Sequence, residues 1–201
     1  EYLETAKDTN ENKIYYSTDK TTQSKYIKMF EDSGIEVILL DRVIDTQFIS
    51  LVEEKHEGVK FIRVDAEIAD VLKDDGDITE NEALTALFKE IAGEHTTVRY
   101  ERLRDTATPA ILNISEESRR MNDLRRMYNM AGGMPNEETL LLNASCPLID
   151  KVASIIDDGD VECARKIARH IYMLSTLSQR QLTADELVEF LADSYDILSG
   201  L

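Results

Sequence analysis

At 201 residues the chain has room for one large domain or two small ones, and 42% apolar residues suffice for true cores. A formal net charge of −17 sets its surface against nucleic acid and anionic membranes, which repel acid. The sequence has neither a run of about 18 apolar residues nor a charged-then-apolar leader, so neither a membrane span nor a signal peptide is expected.

Cys146 and Cys163 are too few for a disulfide framework, and a reducing compartment is the expectation. The opening Glu1-Tyr2-Leu3-Glu4 lacks a Met and starts mid-pattern, so the chain reads as a piece of a longer protein. The acid is uneven: ten Asp or Glu against two Lys fall between Val64 and Glu94, while a later segment carries Arg119, Arg120, Arg125 and Arg126.

Strand and helix signals alternate first. Residues 13–17 (KIYYS) are β-rich. Residues 21–33 space Tyr26, Ile27, Met29 and Phe30 as a helix does, and Gly34 stands where a helix end needs positive φ. Residues 35–40 (IEVILL) have the near-continuous apolar pattern of a strand buried on both faces. Asp45 is a candidate cap for a helix to about His56, broken by Gly58, and residues 59–64 (VKFIRV) form a third strand. This β-α-β-α-β order predicts a small parallel sheet with right-handed crossovers.

Residues 65–80 read as a solvated acidic linker, which puts the domains at 1–75 and 76–201. An amphipathic helix follows at 82–92, with Leu84, Leu87, Phe88 and Ile91 in phase. Residues 97–103 and 110–112 read as a β-hairpin. Ser115 is an N-cap candidate for a helix running to Gly132-Gly133, with Glu116 and Glu117 in its first turn. Leu140-Leu141-Leu142 reads as extended. Pro147 starts a helix to about Ile156, Asp160 caps one to about Leu177, and Thr183-Ala184-Asp185-Glu186 is a capping box for the last. The fold class is therefore α/β followed by α+β.

Enzyme chemistry finds little support. Neither G-x-G-x-x-G nor a Walker A motif occurs, and Gly34 and Gly58 are isolated helix ends. His56, His95 and His170 are scattered and the cysteines lie 17 positions apart, so no metal ligand set is spaced for zinc. Cys146 reads more simply as a small cap residue than as a nucleophile with a base. A phosphoacceptor built on Asp41 or Asp45 would want an acidic pair after the first strand, where only Asp19 stands, followed by Lys20.

Two features carry more signal. On the helix at 115–131, Met121, Leu124, Tyr128 and Ala131 form a stripe flanked by Met127 and Met130; such a face adapts to varied partners, though apolar stripes more often belong to a core. The last two helices present Ile167, Ile171 and Leu174, and Leu187, Phe190, Leu191 and Leu198, with Tyr195 nearby. A two-fold axis would make them a four-helix bundle, while packing on the hairpin within one chain is the alternative.

Residues 13–20 (KIYYSTDK), 23–30 (QSKYIKMF), 34–40 (GIEVILL), 44–50 (IDTQFIS) and 58–65 (GVKFIRVD) closely resemble the end of the middle domain in heat-shock protein 90 chaperones, bacterial members above all. Residues 103–112 (LRDTATPAIL) are similar to the family's leucine, aspartate, proline-alanine strand pair, and 141–149 (LLNASCPLI) to its strand-to-helix turn. The resemblance spans nearly the whole chain and is weakest in the acidic connector.

The resemblance implies an ATP-driven homodimeric clamp, of which this chain is the end of the middle domain plus the C-terminal dimerisation domain. ATP, its magnesium and the catalytic arginine then belong upstream, and this segment has no cofactor, no metal, no catalytic residue and no ATPase activity of its own. Met121, Leu124, Met127, Tyr128 and Met130 match the family's client-binding helix. The helices at about 160–177 and 183–199 match its dimer bundle, with Ile167, Ile171, Leu174, Leu187, Phe190, Leu191 and Leu198 as dimerisation residues. Partners are a second copy, client proteins and co-operating chaperones, with no nucleic acid and no membrane. The end at Leu201 has neither a Met-Glu-Glu-Val-Asp tail nor a Lys-Asp-Glu-Leu signal, which points to a bacterial cytoplasmic protein. A few partly engaged apolar side chains, each worth roughly 1.5–3 kcal/mol when fully buried, would hold clients weakly and reversibly, and pairing two such sites adds avidity. The rival readings are a small α/β enzyme with an appended helical dimerisation domain, and a dimerisation module whose methionine-rich helix is core.

Overall fold

The structure, a computed structural model, describes residues 12–42, 44–66, 72–74, 76–115, 118, 120–121 and 138–200. The chain divides into two compact units, Glu1–Ala69 and Asp70–Leu201.

In the first unit, β1 (Lys13–Ser17), α1 (Ser24–Asp32), β2 (Val37–Leu39), α2 (Asp45–Lys55) and β3 (Lys60–Arg63) alternate, and the three strands form a parallel sheet in the order β2-β1-β3. Successive side chains of β1 point to opposite faces. Ile14 and Tyr16 join Ile49 of α2 and Phe61 of β3 in a core on one face, and Tyr15 meets Phe30 of α1 on the other, with ring centroids 4.6 Å apart. The doubly buried strand is thus β1. The IEVILL run, expected in that role, supplies a three-residue edge strand whose Leu39 is exposed. Tyrosine rings bury as much surface as aliphatic chains, which is how the less apolar sequence takes the central place.

Gly34 closes α1 with φ of +78°. Its N–H bonds the Glu31 carbonyl, and the Ile35 N–H reaches back to the Phe30 carbonyl. This pair of bonds is the Schellman ending, which favours glycine because a side chain strains the left-handed backbone. Asp45 is the first residue of α2 rather than its cap; its carboxylate accepts the Arg42 N–H.

In the second unit, α3 (Glu82–Ala92), β4 (Thr96–Glu101), β5 (Ala110–Ile114), β6 (Glu138–Asn143), α4 (Pro147–Asp157), α5 (Val161–Leu177) and α6 (Ala184–Ser199) follow in order. The expected β-hairpin does not form. The sheet order is β4-β6-β5: β6 lies between the other two, parallel to β4 and antiparallel to β5. Leu140, Leu141 and Leu142 are all buried, and a strand apolar on both faces belongs at a sheet's centre, where both edges are paired. Leu140 and Leu142 share a core with Leu84 and Phe88 of α3, Ile149 and Val152 of α4, and Ala164, Ala168 and Ile171 of α5.

The acidic connector is not a free linker in its described second half. Leu72 is buried. Its carbonyl accepts the Arg104 N–H, and the Asp74 N–H donates to the Arg102 carbonyl. Lys73 pairs with Glu101 and Arg102 with Asp74. The loop between β4 and β5 is fixed by the fully buried Asn143. Its Nδ2 donates to the carbonyls of Asp105 at 2.6 Å and Thr108 at 2.8 Å. Its Oδ1 accepts the N–H groups of Leu103 and Ser145.

Helix ends follow the sequence signals. Asn81 caps α3 through the Leu84 N–H. Pro147 opens α4, with Cys146 buried at its cap position. Asp160 serves two helices: its N–H bonds the Ile155 carbonyl at the end of α4, and its carboxylate accepts the Cys163 N–H at the start of α5.

Candidate functional site

The capping box at Thr183 starts α6 immediately after a short turn, so α6 folds back on α5 as an antiparallel helical hairpin. Charges fasten the two. Arg169 Nε and Nη2 donate to Asp193 at 2.6 and 2.7 Å, Lys166 donates to Asp196 at 2.8 Å, and the Arg180 guanidinium makes two bonds of 2.7 Å to Glu186. The Arg180 bonds hold the Glu186 carboxyl at about 2, and the Lys166 bond lowers that of Asp196. Between these pairs the imidazole of His170 lies flat against the ring of Phe190, centroids 4.7 Å apart and planes within 3°.

This contact uses an unusual face of α6. The side turned to α5 carries Phe190, Asp193 and Ile197, and Asp193 is its buried residue. The other side carries Leu187, Val188, Leu191, Tyr195 and Leu198, each exposed between 42% and 67%. At about 100° per residue these five fall within about 100° of arc. Leu174 and Leu177 of α5 are also exposed. The helical hairpin therefore places the part-buried Arg169–Asp193 pair between its helices and leaves a row of large apolar side chains outside.

The residues predicted for dimerisation divide accordingly. Leu174, Leu187, Leu191 and Leu198 lie exposed. Ile171 is only 1% exposed and belongs to the core of the second unit, with Ile167 packed against it. Phe190 is half-buried on His170. The helical stripe grouped these seven together because spacing alone does not separate the side facing one's own core from the side facing outward. Val188, Leu177 and the paired Arg169 and Asp193 were missed; only their adjacency to the leucine row in sequence could have signalled them.

Of the residues predicted for client contact, Leu124, Met127, Tyr128 and Met130 lie outside the described residues. Met121 is helical and 48% exposed. The Ser118 N–H donates to Ser115 Oγ, as expected of an N-cap.

The carboxyl ends of parallel strands are where an α/β enzyme exposes its chemistry. Here the buried Gln23 accepts from Ser17 Oγ and donates to Asp65, which Arg63 also engages at 2.7 Å. These side chains satisfy one another rather than a ligand. Among the described residues no three His, Cys, Asp or Glu side chains gather in a metal-holding group, and no helix is long and apolar enough to cross a membrane.

No family model matches the chain. Several curated relatives do. The chaperone protein HtpG of Bacteroides fragilis strain 638R is 31% identical over 176 residues, covering 80% of this chain and 25% of the relative. That of Bacteroides thetaiotaomicron is 28% identical over 189 residues, 87% of this chain and 27% of the relative. That of Porphyromonas gingivalis strain ATCC 33277 is 33% identical over 156 residues, 69% and 22% respectively. The chain thus spans about a quarter of the length of the curated relatives it matches.

Proposed function

Because the chain belongs to the HtpG chaperone family, we propose that it serves as a homodimerising and client-contacting part of such a chaperone. The outward apolar row of the α5–α6 hairpin carries this reading. Two helices with a leucine face to water are an incomplete bundle, and a second copy related by a two-fold axis completes four helices with one self-complementary surface. Each exposed side chain gains up to about 1.5–3 kcal/mol on full burial. The two-fold axis doubles that gain against a single association cost of roughly 4–15 kcal/mol.

Client contact is assigned to Met121, Leu124, Met127, Tyr128 and Met130, since methionines adapt to irregular apolar segments. On this reading the segment performs no catalysis. Nucleotide and magnesium act elsewhere in a longer cytoplasmic protein, and co-operating chaperones are further partners.

Sedimentation equilibrium at micromolar concentration tests the dimer. A dimer that Leu191→Glu dissociates without loss of helicity supports it, and a monomer at every accessible concentration overturns it. For clients, Met127→Asp with Tyr128→Asp should weaken binding of an unfolded protein while the dimer persists. Unchanged binding would remove the client role from these residues.

A further inference from the structure

We infer that His170 is a pH-sensitive latch on the helical hairpin, so that its protonation loosens α6 from α5 and weakens the dimer built on that hairpin. The dimer part rests on the reading above; the latch does not.

The geometry favours a neutral imidazole. His170 lies flat on Phe190, whose face weakly attracts a charged ring, but its Nδ1 is buried with no hydrogen-bond partner among the described residues. A neutral ring tolerates this, since one nitrogen then keeps only a bare lone pair. A protonated ring carries an N–H at both nitrogens, and the one at Nδ1 would be a charged donor buried without an acceptor, which is costlier than an unpaired neutral acceptor.

The surrounding charges do not repair this. On α6, Asp193 is the charged group whose field favours protonation, but both of its oxygens already accept from Arg169. Asp196 is engaged by Lys166, and Glu189 acts on Arg169. On α3, Glu90 is engaged by Arg165. Among the described residues no charged group of α4 or β5 acts on the imidazole. Burial accordingly holds His170 below the ordinary histidine range, with Asp193 opposing.

The sign follows. Above the unfolded-state value near 6.5 the latch contributes fully, and its contribution falls as pH drops through the lower folded value, because the unfolded chain takes up the proton first. The paired carboxylates Glu186 and Asp196 are lowered and act further down. Burial raises Glu138 on β6, so acid stabilises it, and the histidine effect must be read as a difference between chains.

The test compares the wild-type chain with His170→Phe, which keeps the stack and removes the titration. If that variant misfolds, His170→Gln replaces it. NMR of the His170 ring should give a midpoint below the ordinary histidine value near 6.5; a midpoint at or above it overturns the latch. The wild-type dimer dissociation constant should rise several-fold from about pH 7.5 to about pH 5.5, and the variant's should rise less. An equal rise in both overturns the latch. If the chain is monomeric at both pH values the dimer reading fails alone, and the thermal midpoint decides. It should fall further in the wild type than in the variant, and an equal fall overturns the latch.

Discussion

Arg169 holds both carboxylate oxygens of Asp193 across the helical hairpin, at 2.6 and 2.7 Å, and Asp193 is the buried residue of α6. A helix whose buried member is an acid and whose leucines face water does not stand by apolar packing on its neighbour. Arg169→Ala would leave the Asp193 carboxylate buried without its partner. The expected loss is about 2 kcal/mol, below the roughly 3–5 kcal/mol of a wholly buried pair because a third of Arg169 is in water. Chemical denaturation of the second unit measures it, and Asp193→Asn should cost less than the arginine change.

Ile171 and Leu191 were predicted to share one role, yet burial separates them. Ile171→Glu forces a charge into the core formed with Leu84, Ile149 and Leu140 and should unfold the second unit. Leu191→Glu, at a 42% exposed position, should leave helicity within about 0.5 kcal/mol of wild-type stability. Circular dichroism of the two variants side by side checks this.

Glu186 completes the capping box with Thr183 and accepts two bonds from Arg180. Its folded value of about 2 lies below the ordinary 4.5. Its contribution is therefore present above about pH 4.5 and lost as pH falls towards 2. An acid titration of helicity should show a steeper loss over that interval in the wild type than in Glu186→Gln, which cannot titrate.

Asn143 joins four backbone groups from inside the second unit. Asn143→Ala leaves buried donors and acceptors unpaired and should cost about 3 kcal/mol. Hydrogen exchange should rise first at Leu103, whose N–H loses its acceptor. Asn143→Asp tests the same site from the other side, since the carboxylate can accept from Leu103 and Ser145 but cannot donate to the carbonyls of Asp105 and Thr108.

The local features were legible in the chain. Gly34, Pro147, Asp160 and Thr183 mark helix ends because a cap depends on residues within one turn. The strand–helix alternation of the first unit and the membership of the chaperone family were equally readable, the latter from short motifs in fixed order. What required the folded arrangement was every question of which neighbour a face meets. The partner of a strand lies tens of residues away, so β6 entering between β4 and β5 undid a hairpin that proximity in sequence suggested. Likewise, IEVILL, expected to be buried on both faces, lies at an edge with KIYYS at the centre, because position in a sheet depends on what covers both faces. On α5 and α6 an apolar period marks a buried stripe without saying what buries it. The charges of Arg169 and Asp193 occupy the contact between the helices and send the leucines outward, a choice made by pairing energies across 24 residues of chain.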